Sequence, residues 1–223
     1  MKPNLSRFVP LIFGLGLLML SFGCSFQKDK VEEKPELPGL TKEEEMYELL
    51  NLGMQQLSPW VNHWKSSAAS FNPSKFKLEK SEVFEDLEWP EENYITQGNL
   101  FYPYLIAHPE GGGTVDIYSY KVDVPAEGKP GFNPDAEVIY FKSNGMRKRL
   151  LFMGPSGGFE DAVWLNSDYL LVVGFFESED GVSPKAWMIS PETNSYLTFN
   201  YPENFQSYEK ESYLYKKLKN ISF

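Results

Sequence analysis

Residues 162–176 read Ala-Val-Trp-Leu-Asn-Ser-Asp-Tyr-Leu-Leu-Val-Val-Gly-Phe-Phe, and this stretch decides the fold. Asn166-Ser167-Asp168 is a turn signal between two β-favouring runs, so Ala162–Leu165 and Tyr169–Phe176 form a hairpin. The second run is nearly all apolar and shows no alternation. Such a strand is covered on both faces, so it sits in the middle of its sheet. Two further strands follow, Lys185–Ser190 and Tyr196–Asn200, joined by the turn Pro191-Glu192-Thr193-Asn194.

Upstream of this hairpin, Glu137–Lys142 and Arg149–Met153 flank Ser143-Asn144-Gly145-Met146. Asn-Gly between two such runs is a hairpin signal, because both residues tolerate positive φ. Further upstream, Phe76–Glu79, Asn99–Ala107 and Thr114–Val122 are strand candidates. Pro103 confines the second to an edge or a bulge. Alternation in the third places Tyr118 and Tyr120 on one face.

Helical grammar precedes the strands. Thr41-Lys42-Glu43-Glu44 is a capping box, and Met46, Leu49, Leu50, Gly53, Leu57, Val61 and Trp64 recur at helical spacing. Ser58-Pro59 marks a second start, with Ser58 as N-cap. Two helices, about 42–57 and 59–66, are expected to cover one face of a sheet, with a short closing helix at about 207–219. The fold class is mainly β (α+β): an antiparallel meander or open sheet with N-terminal helices packed on one face, in one globular domain over 41–223.

The four strands from Ala162 to Asn200 resemble one blade of a β-propeller, through Trp164, the Asn-Ser-Asp turn, Gly174 and Trp187. That resemblance covers about 40 residues. A propeller needs typically 4–8 blades and this chain has room for about two, so the open meander is the preferred architecture.

The chain begins with a basic segment (Lys2, Arg7), an apolar run from Phe8 to Leu20, and Leu20-Ser21-Phe22-Gly23-Cys24. This is the layout of a secretory signal over 1–23. The apolar run is 13 residues and carries Pro10, Gly14 and Gly16. A bilayer span needs about 20, so a plain signal anchor is disfavoured. Cys24 is the only cysteine, so no internal disulfide can form. Leu20, Ser21, Gly23 and Cys24 resemble the lipobox of bacterial lipoproteins. The resemblance implies that Cys24 becomes the mature N-terminus and carries thioether-linked diacylglycerol, usually with a further acyl chain such as palmitate. Two or more chains give stable membrane anchoring. Ser25, where aspartate would signal inner-membrane retention, leans toward the outer membrane of a diderm bacterium, on its periplasmic or its exposed face. Residues 24–40 carry the lipidated cysteine and a polar tether with Pro35 and Pro38. Ser25–Leu40, sixteen residues at roughly 3.3 Å each, could reach about 50 Å.

The chain carries 21 basic and 31 acidic residues, a net charge of −10. Loss of Lys2 and Arg7 with the leader takes it to −12. That balance argues against nucleic acid and against docking on anionic lipid headgroups.

Several motifs have plainer readings. Gly154-Pro155-Ser156-Gly157-Gly158 matches G-x-S-x-G, but no helix pattern follows and both histidines, His63 and His108, come earlier. It reads as a turn. His63 lacks partners at metal-ligand spacing and reads as structural. His108-Pro109-Glu110-Gly111-Gly112-Gly113 lacks the Lys-Ser/Thr of a phosphate loop and reads as a permissive turn. Glu82, Glu85, Asp86 and Glu88, then Glu177, Glu179 and Asp180, are carboxylate candidates for a hydrolase, and otherwise solvated charges. No metal site and no cofactor is expected.

The tyrosines are harder to dismiss. Tyr102, Tyr104, Tyr118 and Tyr120, with Trp164 or Trp187, are the candidate surface for stacking on sugar rings or gripping a peptide. The preferred function is a non-catalytic binding or scaffolding module of the cell envelope, with an envelope protein or glycan as ligand. The alternatives are a carboxylate-dependent hydrolase acting on glycans and a structural accessory subunit of an outer-membrane complex.

Overall fold

The computed structural model describes residues 41–223. Its elements are α1 (Lys42–Gln56), α2 (Ser58–Ser67), β1 (Lys77–Val83), β2 (Glu88–Pro90), β3 (Ile106–Ala107), β4 (Gly113–Asp116), β5 (Val122–Asp123), β6 (Gly131–Phe132), β7 (Ala136–Lys142), β8 (Met146–Met153), β9 (Gly157–Trp164), β10 (Leu170–Ser178), β11 (Gly181–Ser190), β12 (Ser195–Asn200) and α3 (Ser212–Lys217). The fold is mainly β and antiparallel, as its sequence leads one to expect. One five-stranded sheet runs β1-β12-β11-β10-β9 and a second runs β2-β8-β7-β4-β3, with β5 and β6 paired separately. The leader, Cys24 and the tether lie outside the described residues.

β10 is the central strand that its apolar run predicts. Leu170, Leu171, Val172 and Val173 are all 0 % exposed, so both faces are covered. One face carries Leu170 and Val172, with Trp164 and Trp187 opposite them. It turns toward the second sheet, where Trp164 meets Tyr140 of β7 with ring centroids 5.6 Å apart. Lys148 of β8 also crosses between the sheets and donates to the Pro191 carbonyl at 2.9 Å. The other face carries Leu171 and Val173 and is covered by the helices. Gly53 makes the close approach of α1 possible, since a Cβ there would overlap Leu171 and Leu165.

The N-terminal helices follow their grammar. The Thr41/Glu44 capping box forms, with Glu44 reaching the Thr41 backbone N–H at 2.7 Å. The break falls at Leu57, and Ser58 makes no capping bond; Pro59 alone marks the restart.

Four local expectations need correction. Asn99–Ala107 is not a strand: the Asn99 side chain accepts from Phe101 N at 2.9 Å and Pro103 lies in a 3₁₀ turn over Tyr102–Tyr104, leaving only Ile106–Ala107 extended. The strand from Thr114 stops at Asp116, whose carboxylate accepts from Tyr118 N and Ser119 N at 3.0 and 3.1 Å and turns the chain. Tyr118 and Tyr120 therefore do not share a face. In the β7–β8 hairpin only Gly145 takes positive φ (82°); Gly145 N donates to Lys142 O at 3.1 Å, so this is a three-residue loop of a type I turn plus glycine. β11 starts at Gly181, not Lys185. Val182 exchanges both backbone bonds with Phe205, so Pro184 two residues on points its nitrogen to the same side, beyond Asn200 where β12 ends.

Candidate functional site

The chemistry of the molecule gathers where β9 loses register with β10. Val173 stands opposite Asp161, yet Gly174 stands opposite Phe159, so Glu160 is the extra residue of a β-bulge. A bulge re-aims side chains. Here Glu160 and Asp161 both enter the space beneath α2 and α3, and they are 0 % and 3 % exposed.

A buried charge persists only when it is hydrogen-bonded and paired. Glu160 Oε2 accepts from the indoles of Trp60 at 2.7 Å and Trp64 at 3.3 Å, and Oε1 accepts from the Tyr208 hydroxyl. The Tyr208 ring stacks on Trp64, centroids 3.6 Å apart and planes within 5°. Asp161 accepts from the Tyr213 hydroxyl, from Lys217 Nζ at 2.7 and 2.8 Å, and from its neighbour Ala162 N at 2.9 Å. The Tyr118 hydroxyl lies 3.1 Å from the Glu160 carbonyl and 3.4 Å from Asp161 Oδ1. Burial pushes the Glu160 carboxyl up to about 7, although its bonds from Tyr208, Trp60 and Trp64 favour the charged form. Burial, and then the neighbouring carboxylates, push the phenols of Tyr118, Tyr208 and Tyr213 upward, so all three remain neutral donors.

On the outer side of Tyr213 and Lys217 lies an open pocket of about 850 Å³ between α2 and α3. Helix α2 contributes Pro59, Asn62, His63 and Ser66, one stripe at helical spacing. Lys216, Lys219 and Asn220 face them, and Tyr104 closes one side, its hydroxyl accepting from Asn220 N at 3.1 Å. Among the described residues no carboxylate lines this pocket, in a chain of net charge −10.

His63 resembles a catalytic base until its hydrogen bonds are followed. Nε2 is 3.0 Å from Ser212 Oγ, and Nδ1 is 3.1 Å from Lys216 Nζ. A charged ammonium only donates, so Nδ1 is the acceptor and Nε2 carries the proton of the neutral ring. Nε2–H therefore donates to Ser212, whose own hydroxyl donates to the Glu209 carbonyl. A nucleophilic serine needs the opposite tautomer. Burial, and then the Lys216 charge, lower the His63 pKa to about 4. The ring packs edge-on against Tyr208 and Tyr213, centroids 5.7 and 5.4 Å away, as a structural histidine does.

The sequence-derived aromatic surface is scattered. Tyr118, Trp164 and Trp187 are core residues, 1 %, 6 % and 5 % exposed, because the chain turns at Asp116 and because both tryptophans lie on the sheet face that meets its neighbours. Tyr102 and Tyr120 are exposed. Tyr104 alone lines the pocket. Trp187 packs edge-on against Phe159, 5.2 Å between centroids.

The other candidates resolve as well. Gly154-Pro155-Ser156 is the tight turn between β8 and β9, with strand rather than helix after it. His108 Nδ1 accepts from Glu110 N and Gly112 N at 3.2 and 3.3 Å, so Nε2–H donates to the Ser167 carbonyl at 3.0 Å. That histidine pins its glycine loop to the β9–β10 turn. Glu82 pairs with Lys80, Asp86 with Lys148, Glu88 with Lys142, and Glu177 with Lys210, while Glu85, Glu179 and Asp180 are exposed. Among the described residues no group of His, Cys, Asp and Glu is arranged to hold a metal ion.

Glu160, Asp161, Tyr208, Tyr213 and Lys216 escape the sequence reading. The one local signal was an acidic pair set directly before the apolar run of the hairpin, Phe159-Glu160-Asp161-Ala162. No protein-family model matches the chain, and no curated protein or solved structure is significantly similar to it.

Proposed function

We propose that this chain is a lipid-anchored, non-catalytic binding module of the cell envelope, with the pocket between α2 and α3 as its ligand site. One observation carries the non-catalytic part. The chemically active groups near the pocket are already committed to one another. Glu160 and Asp161 are enclosed and hold six side-chain donors from distant parts of the chain, and His63 sits in the tautomer that cannot activate Ser212. What faces the opening is a set of donors: Lys216, Lys219, Asn62 and Asn220. Such a lining binds and does not cleave. The carboxylate-hydrolase reading draws no support from Glu160 and Asp161, which do not face each other across a cleft.

The anchor rests on the leader and the lipobox resemblance at Cys24, and Ser25 favours the outer membrane. Envelope glycan and protein fractions offered to the full chain should be retained by the wild type and released by a Lys216→Glu/Lys219→Glu variant of unchanged melting temperature. Equal retention by both would remove the pocket from the function.

A further inference from the structure

We infer that the α2–α3 pocket takes a small molecule bearing a phosphate group, the phosphate lying against Lys216 and Lys219 and the organic body against Tyr104 and Pro59. This rests on the proposed binding role of the pocket and names its ligand class.

The first argument is charge. Three lysines on or near α3 are neutralised: Lys121 by Glu211 at 3.4 Å, Lys210 by Glu177 at 2.7 Å, and Lys217 by Asp161 at 2.7 Å. Among the described residues Lys216 and Lys219 have no such carboxylate, although acids outnumber bases in the chain by ten. Two ammonium groups without counterions at one concave wall favour an anion. The neutral His63 holds only one of the three Lys216 protons, through Nδ1, so two remain for a ligand.

The second argument is donor type. Lysine binds phosphate as a point charge, without the planar fork by which arginine takes carboxylate or phosphate bidentately. The described arginines, Arg147 and Arg149, both belong to β8 and bind Glu91 and Glu137. The pocket offers lysines, with the side-chain amides of Asn62 and Asn220 as further donors. Its volume, about 850 Å³, far exceeds one phosphate and leaves room for an attached body beside the Tyr104 ring.

His63 is the reporter. Its ring faces Lys216, Ser212 and Tyr213 of α3 and Tyr208 before it, and it is one of two histidines in the chain. A phosphate drawing on Lys216 adds negative charge beside the ring and favours the imidazolium. The experiment is NMR of the full chain in detergent, isotope-labelled at histidine, titrated with glycerol phosphate and inorganic pyrophosphate. Glycerol, citrate and sodium chloride at matched ionic strength are the controls. Expected are saturable shifts of the His63 signals with both phosphates, a His63 pKa raised from about 4, stationary His108 signals, and at least about tenfold weaker binding in Lys216→Gln/Lys219→Gln. Immobile His63 signals with either phosphate overturn the inference, as do equal shifts with citrate or chloride. Should an uncharged envelope glycan move His63 while the phosphates do not, the phosphate assignment falls and the binding role stands.

Discussion

Glu160 sits where a carboxylate is most expensive, and its cost is legible as a pH effect. Its folded pKa, about 7, lies above its ordinary value of 4.5. The folded state therefore binds this proton more tightly than the unfolded chain. The resulting stability is fully present below pH 4.5 and is lost as pH rises through 7. At about 1.4 kcal/mol per pKa unit, the loss across that window is about 3 kcal/mol. The groups facing Glu160 are Trp60, Trp64, Tyr208 and the Asp161 carboxylate. Glu160→Gln keeps an acceptor for the two indoles and offers an N–H₂ to the Tyr208 oxygen, but it cannot ionise. Melting temperatures of wild type and variant between pH 4.5 and 7 should converge at the acid end, with the wild type falling more steeply toward neutrality. Parallel curves would mean that Glu160 ionises at its ordinary pH inside the fold. Glu160→Leu leaves two indole N–H groups and a phenol without an acceptor, and should cost about 3 kcal/mol or more at any pH.

At the scale of elements, the bulge in β9 depends on Gly174 as much as on Glu160. A Cβ at 174 would overlap the Gly158 carbonyl across the strand pair. Gly174→Ala should therefore force β9 and β10 apart and lower stability by about 2 kcal/mol or more in urea denaturation. Gly131→Ala in β6 meets nothing within 4 Å and should stay within about 0.5 kcal/mol of wild type. Helix α3 has its own support. Lys121, 2 % exposed, donates to the Asn133 carbonyl at 2.6 Å and pairs with Glu211, which starts α3 at φ 61°. Lys121→Met strips that pairing and should destabilise by about 2 kcal/mol; amide exchange over Tyr213–Lys217 should quicken more than over β10. These features also mark where sequence reading stops. The β9–β10 and β7–β8 hairpins and the capping box were legible because each is fixed by residues within a few positions. The buried carboxylates were not: Trp60 reaches Glu160 across 100 residues, and Tyr208 across 48. Alternation misled at Tyr118 and Tyr120 because Asp116 ends its strand with its own side chain, which no period records. The pocket was invisible for a related reason. Lys216 belongs to a C-terminal helix whose docking partner, α2, lies about 150 residues earlier, and Lys219 follows that helix.

For the whole molecule, charge and anchorage make opposing demands, and the opposition gives a test of the envelope reading. A chain of −10, or −12 without Lys2 and Arg7, is repelled by anionic headgroups. Among the described residues no helix is long and apolar enough to cross a membrane. On the anchored reading, attachment then runs through acyl chains on Cys24, at about 0.8 kcal/mol per buried methylene. Such attachment is indifferent to ionic strength, whereas electrostatic attachment is screened over about 10 Å at 0.1 M salt and less above it. Cells expressing the full chain should hold it in the membrane fraction through a high-salt wash and release it in detergent. The protein should incorporate labelled palmitate. Cys24→Ala should lose the label, and in an otherwise unchanged chain it should shift the protein out of the membrane fraction. A wild-type protein that salt alone removes, or a Cys24→Ala variant that stays membrane-bound, would place the attachment on the folded surface instead. The lysine-lined pocket, where among the described residues no acid lines the wall, would then be the first place to look for it.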